Sequence, residues 1–339
     1  MKIAHIMAGA PTGGAELFYE RLVAAMQRTG DDILPIIRRN PAREARLTAA
    51  GLTPIPLRFG GAFDLLTRPR IARHLRAFAP THVMPWMSRA AAMTPPGKYV
   101  LIGRLGGAYD LRRFRHCDHL VANTQGLVDW IKTQGWPPAR VHHLPNFVPD
   151  FSNAPPAPLP VPRNAPTLLA MGRLHRNKGF DTLIHALRHL PGVHAVIAGE
   201  GPERPALQTL AHTEGVADRV HLLGWRHDQA ALLAAAAILV VPSRIEPLGN
   251  VILEGFSAGI PIVAAAAAGP RETIRPNETG LLTPIDDAIA LAEAIAEVLA
   301  NPTLATRLAQ AARAEFEAHH AQPAIIPKWR HLLPTLDKT

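Results

Sequence analysis

Short apolar runs alternate with longer stretches of helical periodicity along most of the chain. An apolar run of about four to eight residues predicts a buried strand, whereas apolar positions three or four residues apart predict an amphipathic helix. The first of these units is a strand at Lys2–Met7, a tight loop at Ala10–Gly14 and a helix at Ala15–Gln27. Six further strands are predicted before residue 150, at Ile33–Ile37, Pro54–Leu57, His82–Met84, Val100–Gly103, Leu120–Asn123 and Val141–Leu144. Helix-length stretches such as Arg68–Phe78 and Gly126–Gln134 separate them, which predicts a parallel sheet with crossover helices.

The alternation stops at Pro149–Pro166, a segment with seven prolines and almost no periodicity. Such a composition predicts a semi-rigid, extended connector. Beyond it the strand pattern returns at Thr167–Met171, His194–Ala198, Val220–Leu222 and Ile238–Pro242. Helices are predicted near Lys178–His189, Pro205–Glu214, Asn250–Ala258, Asp286–Ala300 and Pro302–His319.

Two sheets of this kind predict an α/β protein with two Rossmann-like, doubly wound domains. We expect one domain over residues 1–150, a linker over 151–166 and a second domain over 167–320. Pro323 is expected to break the chain before a last segment, Lys328–Leu336. Residues 321–339 should pack back on the first domain.

Composition agrees with a folded protein, because 47% of the 339 residues are hydrophobic and 19% are charged. No apolar run is long enough to span a membrane, and Met1–Ala8 leads into a strand instead of a signal peptide, so we expect a cytoplasmic protein. Cys117 is the only cysteine, which excludes an intrachain disulfide and a cysteine-based metal site. The 17 histidines include adjacent pairs, but none has the spacing of a zinc site, so no metal is expected.

Net charge is +9 and is unevenly distributed. Residues 1–150 contain 20 Lys and Arg against 10 Asp and Glu, whereas residues 151–339 contain 16 against 17. A basic first domain could meet an anionic membrane surface, a phosphorylated acceptor or simply solvent. Nucleic acid is not expected as a partner, because the aromatic content is only 5% and no basic and aromatic recognition motif is present.

Three glycine-bearing turns follow predicted strand ends in the second half, at Gly172–Leu174, Gly199–Pro202 and Gly224-Trp225. Ligands of open parallel sheets bind at the carboxyl ends of the strands. The first turn continues as GRLHRNKG and places Arg173 and Lys178 at a strand-to-helix junction. Backbone amides and the helix dipole favour an anion there, and two added cations suit a diphosphate. The alternative is an ordinary turn whose basic residues face solvent.

The segment Glu246–Pro261 reads EPLGNVILEGFSAGIP. Glu246 precedes a turn at Gly249, and Glu254 lies eight residues further on, inside the predicted helix. Both carboxylates could face one crevice and accept hydrogen bonds from paired sugar hydroxyls, while amides near Gly249 point at a phosphate. The alternative is that Glu246 only begins the helix and Glu254 faces solvent.

From Gly172 to Leu282 the chain resembles the C-terminal domain of family 4 glycosyltransferases, whose signature is a glutamate, seven residues and a second glutamate. The opening Gly13-Gly14-Ala15-Glu16 resembles that family's GGxE loop, and Asn123-Thr124 matches a position where the family often has serine. The resemblance implies the GT-B architecture, in which two Rossmann-like domains face a central cleft. It further implies transfer of a sugar from a nucleotide-diphosphate sugar to an acceptor, with retention and without a metal or other cofactor.

The resemblance also implies a role for each matching residue. Arg173 and Lys178 would hold the donor diphosphate, which the Gly13-Gly14 backbone would approach from the other domain. Glu246 would contact the transferred sugar and Glu254 the nucleotide ribose. The distal phosphate would be contacted by the amides of Leu248, Gly249, Asn250 and Val251. The base would lie near the turn at Gly224.

The first domain departs from the family pattern, because many members have a histidine near the fifth strand where this chain has Gly103–Gly107. Arg104 is therefore a candidate for contact with the acceptor or the leaving phosphate, whereas His116 and His119 are expected to be structural. The stretch RLGGAYDLRRFRHCDHLVANT is similar to members that build lipopolysaccharide or other envelope glycans. This similarity favours a glycan or glycolipid acceptor. The basic charge of residues 1–150 favours a peripheral position on the inner face of the cytoplasmic membrane.

Three alternatives to sugar transfer are an oxidoreductase, an epimerase and a non-catalytic binding protein. An NAD-dependent oxidoreductase would need a Gly-x-Gly-x-x-Gly turn after the first strand, and the segment Ala8–Gly14 does not have that spacing. A sugar-nucleotide 2-epimerase would share the architecture, although the two glutamates favour transfer. A non-catalytic binding protein would bind the nucleotide sugar without hydrolysing it.

Overall fold

The computed structural model describes residues 1–11, 13–61 and 64–338, so Thr12 of the predicted first loop lies outside the description. The chain forms two compact units. The first comprises Met1–Phe147 and the residues from Gln322 onward, and the second comprises Val148–Ala321. Each unit is built around a parallel sheet with crossover helices, so the α/β, Rossmann-like fold class is confirmed.

The first unit contains a seven-stranded parallel sheet with the strand order β3-β2-β1-β4-β5-β6-β7. Its strands are β1 (Lys2–Met7), β2 (Asp32–Arg38), β3 (Ile55–Leu57), β4 (His82–Trp86), β5 (Val100–Leu105), β6 (His119–Ala122) and β7 (Val141–His143). Every strand predicted here is present, with ends within two residues of the prediction. The helices between them are α1 (Gly14–Arg28), α2 (Pro41–Ala49), α3 (Thr67–Phe78), α4 (Met87–Met93) and α5 (Gln125–Thr133).

Local sequence signals explain where several of these helices begin. Asn40 precedes α2, and its side chain accepts a hydrogen bond from the amide of Arg43, while Pro41 occupies the first helical position. Thr124 accepts a hydrogen bond from the amide of Leu127 at the start of α5. Both residues satisfy amides that the first helical turn leaves without partners.

The second unit contains a six-stranded parallel sheet with the order β10-β9-β8-β11-β12-β13. Its strands are β8 (Thr167–Met171), β9 (His194–Ala198), β10 (Val220–Gly224), β11 (Ile238–Val241), β12 (Ile262–Ala265) and β13 (Leu281–Thr283). Its helices are α6 (Phe180–Ala186), α7 (Arg204–Thr213), α8 (Gln229–Ala234), α9 (Asn250–Ala258), α10 (Ala268–Thr273), α11 (Ala288–Ala300) and α12 (Pro302–His319). The predicted helix Lys178–His189 is shorter than expected, because 3₁₀ turns replace both of its ends.

Apolar cores cover both faces of the second sheet. Leu168 and Ala170 belong to one core, and Leu169 between them belongs to the other. Successive side chains of a strand point to opposite faces, so a strand buried on both sides reads as a continuous apolar run.

The proline-rich segment, predicted as a semi-rigid, extended connector, packs on the second unit. Phe151, Leu159 and Val161 lie against one of its apolar cores. The amide of Ala157 donates a hydrogen bond to the carbonyl oxygen of Ala231 at 2.9 Å. Proline removes amide donors but leaves apolar surface, which this segment buries.

The chain returns to the first unit through α13 (Gln322–Leu332). The expected break at Pro323 is wrong, since this proline lies in the first turn of the helix, where no amide donor is needed. Ile325, Trp329 and Leu333 are fully buried in a core that also contains residues of β1 and α1.

Among the residues that the structure describes, no single helix is both long and apolar enough to cross a bilayer. Helices α11 and α12 meet those two measures only as a pair bent by 100°.

Candidate functional site

Loops from neighbouring strands pack closely at the carboxyl ends of β8 and β9, where open parallel sheets bind their ligands. The amide of Gly172 donates to the carbonyl oxygen of Ala198 at 3.0 Å, and the amide of Leu174 donates to that of Glu200 at 2.9 Å. A Cβ atom on Gly199 would lie 1.8 Å from the carbonyl oxygen of Gly172. The glycines of these two turns therefore allow the backbones to touch.

The loop after β8 ends in a 3₁₀ turn, Arg176–Lys178, and in Gly179. Gly179 has a φ of 62°, and a Cβ atom there would lie 2.0 Å from the carbonyl oxygen of Pro242. Only glycine combines this left-handed backbone with such a close approach. The contact holds the loop after β8 against the loop after β11.

Lys178 and Glu246 form an ion pair across these two loops. The Glu246 carboxylate is buried, with 9% of the residue exposed, and it also accepts a hydrogen bond from Ser243 Oγ at 3.3 Å. A buried carboxylate without partners would cost several kcal/mol, so the lysine and the serine stabilise its charged form. The structure thus brings together two of the three predicted catalytic residues.

Arg173, the third, lies on the same loop as Lys178 but is exposed. Its guanidinium has no hydrogen-bond or ion-pair partner within the described part of the chain. Lys178 is therefore already neutralised by a carboxylate, whereas Arg173 is available to bind an anion.

Arg244 connects the two loops and was not found by sequence reasoning. Its Nη1 and Nη2 donate to the Asp181 carboxylate at 2.8 and 2.6 Å, and its Nε lies 2.6 Å from an oxygen of Asp286. Its Nη1 also donates to the carbonyl oxygen of Arg176 at 2.8 Å. The hydrogen bond with Asp181 raises the pKa of the Arg244 guanidinium. Only its position two residues before Glu246 marked it in the sequence.

The backbone follows the same connection. The amides of Arg244 and Ile245 both donate to the carbonyl oxygen of Asn177, at 2.8 and 3.1 Å. Because Asn177 precedes Lys178 and Ile245 precedes Glu246, these bonds fix the two backbones from which the ion pair extends.

Gly249 turns the chain into helix α9 with a φ of 86°. The helix then begins at Asn250 and Val251, whose amides lie at the positive end of the helix dipole. Leu248 instead buries its side chain in the core, so only its backbone faces this turn.

Gly269 supports the turn from the loop after β12, although it was not among the predicted site residues. Its amide donates to the carbonyl oxygen of Glu246 at 2.8 Å. A Cβ atom at this position would lie 2.6 Å from the carbonyl oxygens of both Glu246 and Leu248. Only the sequence Ala-Gly-Pro after an alanine run hinted at a close approach.

Glu254 is half-buried in α9, between the buried residues Leu253 and Gly255. Gly224 ends β10 with a φ of 77°, and it forms an isolated bridge with Gly199. A Cβ atom on Gly224 would lie 3.0 Å from Glu200 Oε1, so this turn reaches the glycine-bearing loop after β9. Trp225 beside it is 44% exposed.

Within residues 1–11, 13–61 and 64–338, no group of three or more His, Cys, Asp or Glu side chains is arranged to hold a metal ion.

Comparison with known proteins identifies the family. Residues 154–315 match the model of the group 1 glycosyl transferases, and residues 12–150 match that of glycosyltransferase family 4. The chain is 36% identical to the lipopolysaccharide core biosynthesis glycosyltransferase LpsE of Rhizobium meliloti, over 98% of its own length and 99% of that protein. The chain belongs to the family 4 glycosyltransferases. It is also 31% identical to LpsD of the same organism, over 96% of both chains.

Solved structures support the fold of this glycosyltransferase. Anabaena HepE, crystallised with UDP and glucose, superposes with a TM-score of 0.84 and 23% identity over 99% of this chain and 100% of HepE. WaaG, a glycosyltransferase involved in lipopolysaccharide biosynthesis, superposes with a TM-score of 0.74 and 19% identity over 99% of this chain and 100% of WaaG. These likenesses confirm the GT-B fold class.

In the first unit, the GGxE glutamate shapes the loop before α1. Glu16 is buried, and its Oε1 accepts a hydrogen bond from the amide of Ala10 at 2.7 Å. A Cβ atom on Gly13 would lie 2.4 Å from Glu16 Oε2, and one on Gly9 would lie 2.1 Å from Oε1. Gly14 is the first residue of α1 and is exposed. Glycine at positions 9 and 13 of this glycosyltransferase therefore leaves room for the Glu16 carboxylate.

Arg104 does not have the exposed position expected of a phosphate ligand, because it is only 2% exposed and lies in the core of the first unit. Its Nη2 donates to the carbonyl oxygen of Leu144 at 3.1 Å and to Asn146 Oδ1 at 2.8 Å. Burial lowers the pKa of its guanidinium to about 9. Its guanidinium carbon lies 5.5 to 5.9 Å from the centres of three aromatic rings, those of Phe18, Trp86 and Trp329.

His116 and His119 both bond to the protein, as expected for structural residues. His116 Nε2 lies 2.9 Å from the carbonyl oxygen of Ala91. His119 is held on both sides, with Nδ1 3.1 Å from His142 Nε2 and Nε2 2.9 Å from the carbonyl oxygen of Asp337. The histidine pair therefore fastens the C-terminal segment to β6.

Proposed function

We propose that this glycosyltransferase moves a hexosyl group from a nucleotide-diphosphate sugar to a glycan or glycolipid acceptor of the lipopolysaccharide type. The transfer would retain the anomeric configuration and require no metal. The enzyme would work at the face of a membrane that presents the acceptor.

The ion pair between Lys178 and Glu246 carries this proposal. A diphosphate and the sugar attached to it need a cation and a hydrogen-bond acceptor side by side, and these two residues provide that pair. The amides at the start of α9 lie just beyond Glu246 in the chain and add a site for the distal phosphate. A sugar hydroxyl can donate to the carboxylate once the phosphate has taken the lysine.

The other residues take roles around this pair. Arg173 would bind the diphosphate from the exposed side of the loop, since it has no competing partner in the described chain. Glu254 would accept hydrogen bonds from the ribose hydroxyls, and the turn at Gly224 would lie beside the base. Leu248–Val251 would contribute backbone amides, because the Leu248 side chain is buried.

Positive charge near the diphosphate supports a reaction without a metal. The leaving nucleoside diphosphate needs its developing charge stabilised, a task that metal ions perform in many phosphate-transferring enzymes. Arg173, Lys178 and the α9 amides offer that stabilisation from the protein itself. Retention rests on membership of the family.

The names of the relatives support the choice of acceptor. LpsE and LpsD are lipopolysaccharide core glycosyltransferases, and each matches this chain along almost its whole length. A core oligosaccharide on its lipid anchor is thus the first acceptor to test.

The test begins with a thermal-shift screen against UDP-, GDP-, ADP- and dTDP-sugars, because a bound donor raises the melting temperature with its occupancy. The stabilising donor is then incubated with truncated lipopolysaccharide core, and the product is analysed by NMR. We expect one added sugar with the anomeric configuration of the donor. Glu246→Gln should abolish most of this product, whereas Glu317→Gln, which alters an exposed ion pair on α12, should not.

Two results would overturn the proposal. Conversion of the donor into its 2-epimer without transfer would identify an epimerase. Donor binding without turnover, in the presence of the core acceptor, would identify a binding protein.

A further inference from the structure

The strand order of the first sheet reverses at β1. The next strand along the chain, β2, lies on one side of β1, whereas β4 lies on the other side. Open parallel sheets bind ligands in the crevice outside the carboxyl ends of the strands at such a reversal. Residues 8–11, here called the β1 segment, follow β1 directly and therefore border this crevice.

The neighbouring loop, after β4, has a strained backbone. Met87 directly follows β4 with a φ of 62°, a left-handed conformation that is unfavourable for a non-glycine residue. A Cβ atom on Gly9 would lie 2.6 Å from Met87 Cε, so the β1 segment packs against this loop. Strained residues concentrate at functional sites, which adds to the evidence that substrate binds at this crevice.

Two side chains from the start of α2 hold the β1 segment by its backbone. Arg43 Nη2 donates to the carbonyl oxygens of Ala10 and Pro11, at 2.8 and 3.3 Å. Asn40 Nδ2 donates to the same Pro11 oxygen at 3.1 Å. The amide of Ala10 donates in turn to Glu16 on α1. The segment is thus fixed by α1 and by α2 together.

Arg43 is buried, with only 1% of the residue exposed. A buried cation needs a charged partner, and Arg43 Nε donates to Glu20 Oε1 at 3.0 Å. The Glu20 carboxylate also accepts two hydrogen bonds from Arg46, which lies three residues further along α2. Since Arg46 already pairs with Glu20, the distinct contribution of Arg43 is its pair of bonds to the β1 segment.

The two carbonyl oxygens that Arg43 holds carry partial negative charge. Both accept hydrogen bonds from α2, so their negative ends point at the guanidinium and not into the crevice. Oriented backbone dipoles act as fixed partial charges, and two carbonyl oxygens that faced the crevice would repel an anion. The arrangement therefore favours an anionic substrate.

We propose that Arg43, assisted by Asn40, is a positioning residue that fixes the β1 segment for sugar transfer without touching the substrate. Without it the segment would move, and small displacements near reacting groups lower a rate strongly. The inference rests on the proposed function, because the rate in question is that of sugar transfer. The rigidity of the segment is a property of the fold and is measurable without substrate.

The first test is steady-state kinetics on the full chain. Arg43→Ala should lower kcat about 10- to 100-fold. The donor KM and the affinity for nucleoside diphosphate should change less than about threefold, because the side chains proposed to bind the donor belong to the second unit. Asn40→Asp keeps the oxygen that caps α2 but loses the donor to Pro11, so kcat should fall about threefold or more. This milder variant decides the question if Arg43→Ala does not fold.

Two matched variants separate positioning from stability. Arg46→Ala removes the other arginine that pairs with Glu20, and among the described residues the Arg46 side chain bonds to Glu20 alone. Arg219→Ala, in the second unit, removes a guanidinium that donates to three backbone carbonyl oxygens near the amino end of β9. Both variants should keep kcat near the wild-type value, whatever their melting temperatures.

Rescue of the rate is the second test. Arg43→Ala leaves a cavity that can take a guanidinium ion, so millimolar guanidinium chloride should restore part of kcat, whereas potassium chloride at the same concentration should not. Arg43→Lys keeps the charge but replaces the planar fork of donors with one nitrogen, so it should recover only part of the rate.

Hydrogen exchange measures the rigidity of the β1 segment with no substrate present. The hydrogen bond to Glu16 protects the amide of Ala10 in the wild type. In Arg43→Ala this amide should exchange about tenfold faster, because the segment opens more often. In Arg46→Ala its exchange should match the wild type.

A wild-type kcat in folded Arg43→Ala or in Asn40→Asp would overturn the inference, as would unchanged exchange of the Ala10 amide. An equal loss of rate in Arg46→Ala or Arg219→Ala would also overturn it, by showing that stability alone sets the rate. If the wild type transfers no sugar, the proposed function falls, and hydrogen exchange then decides whether Arg43 fixes the segment.

Discussion

Lys178 donates a hydrogen bond to the carboxylate of Glu246, so these two residues of the proposed donor site neutralise each other. A diphosphate that takes the lysine leaves the glutamate in need of a new donor, and a sugar hydroxyl can supply it. Binding of the phosphate and binding of the sugar are therefore expected to support each other.

The two predicted phosphate ligands should respond differently to removal. Arg173→Ala and Lys178→Ala should each weaken nucleoside diphosphate binding by about 1.5–3 kcal/mol, the worth of a charge-assisted hydrogen bond. Only Lys178→Ala should also lower the free energy of unfolding, by about 1–3 kcal/mol, because it leaves the buried Glu246 carboxylate without its cation. Calorimetry and chemical denaturation measure the two effects. Equal stability of both variants would contradict the assigned pairing.

The two glutamates should divide between rate and affinity. If Glu246 contacts the transferred sugar as proposed, Glu246→Gln removes a charge next to a ring that becomes partly positive in the transition state, so kcat should fall about 10²-fold or more. If Glu254 binds the ribose as proposed, Glu254→Gln removes a contact to hydroxyls that do not change during the reaction, so it should mainly raise the donor KM. Steady-state kinetics on both folded variants decides this. A wild-type kcat in Glu246→Gln would show that Glu246 has only a structural role.

Arg244 should act by positioning the loops and not by touching the donor. Arg244→Ala should lower kcat about 10- to 100-fold, because small displacements of reacting groups cost that much. Arg244→Lys, which keeps one charge but loses the fork to Asp181, should recover only part of the rate. Arg313→Ala breaks a similar pair with Asp150 elsewhere in the second unit and should leave kcat unchanged. The idea fails if Arg244→Ala loses stability alone.

Chelation should spare the reaction. If Arg173, Lys178 and the α9 amides neutralise the leaving diphosphate, excess EDTA leaves the initial rate nearly intact. Loss of activity that magnesium or manganese restores would show that a metal does this work.

Acid should loosen the C-terminal segment through His142. Burial and the neighbouring His119 lower the pKa of His142 from 6.5 to about 4. Because the folded-state pKa lies below the unfolded value, the unfolded chain binds more protons between about pH 4 and 6.5, and stability falls as the pH falls through that window. His142→Asn should flatten the melting temperature over this range, whereas the exposed His227→Asn should not. If the melting temperature of His142→Asn depends on pH as in the wild type, the His119 and His142 pair does not contribute to acid unfolding.

Apolar runs predicted most strands well, because a strand buried on both faces has few polar residues. β12 and β13 were missed, since Ile262–Ala265 leads into a run of alanines and Leu281–Thr283 is only three residues long. Short alanine-rich segments show neither the periodicity of a helix nor that of a strand clearly.

The candidate site was predictable where it depended on spacing along the chain, as for Glu246 and Glu254. It was not predictable where it depended on tertiary contacts. Arg244 reads as a solvated arginine until Asp181 and Asp286 are brought to it by folding. Arg104 was misread for the converse reason, because nothing local reveals that aromatic rings from distant segments enclose it.

The location of α13 has a consequence for how the protein is made. Trp329 and its neighbours complete a core whose other members lie before residue 148. The ribosome synthesises the whole second unit before it reaches them, so Val148–Ala321 can reach its final structure while the earlier-made sheet still lacks one wall. During that interval the Trp86 and Phe18 surface, which Trp329 later helps to cover, is open to chaperones and to aggregation. The half of the enzyme that is translated first is thus the half that matures last.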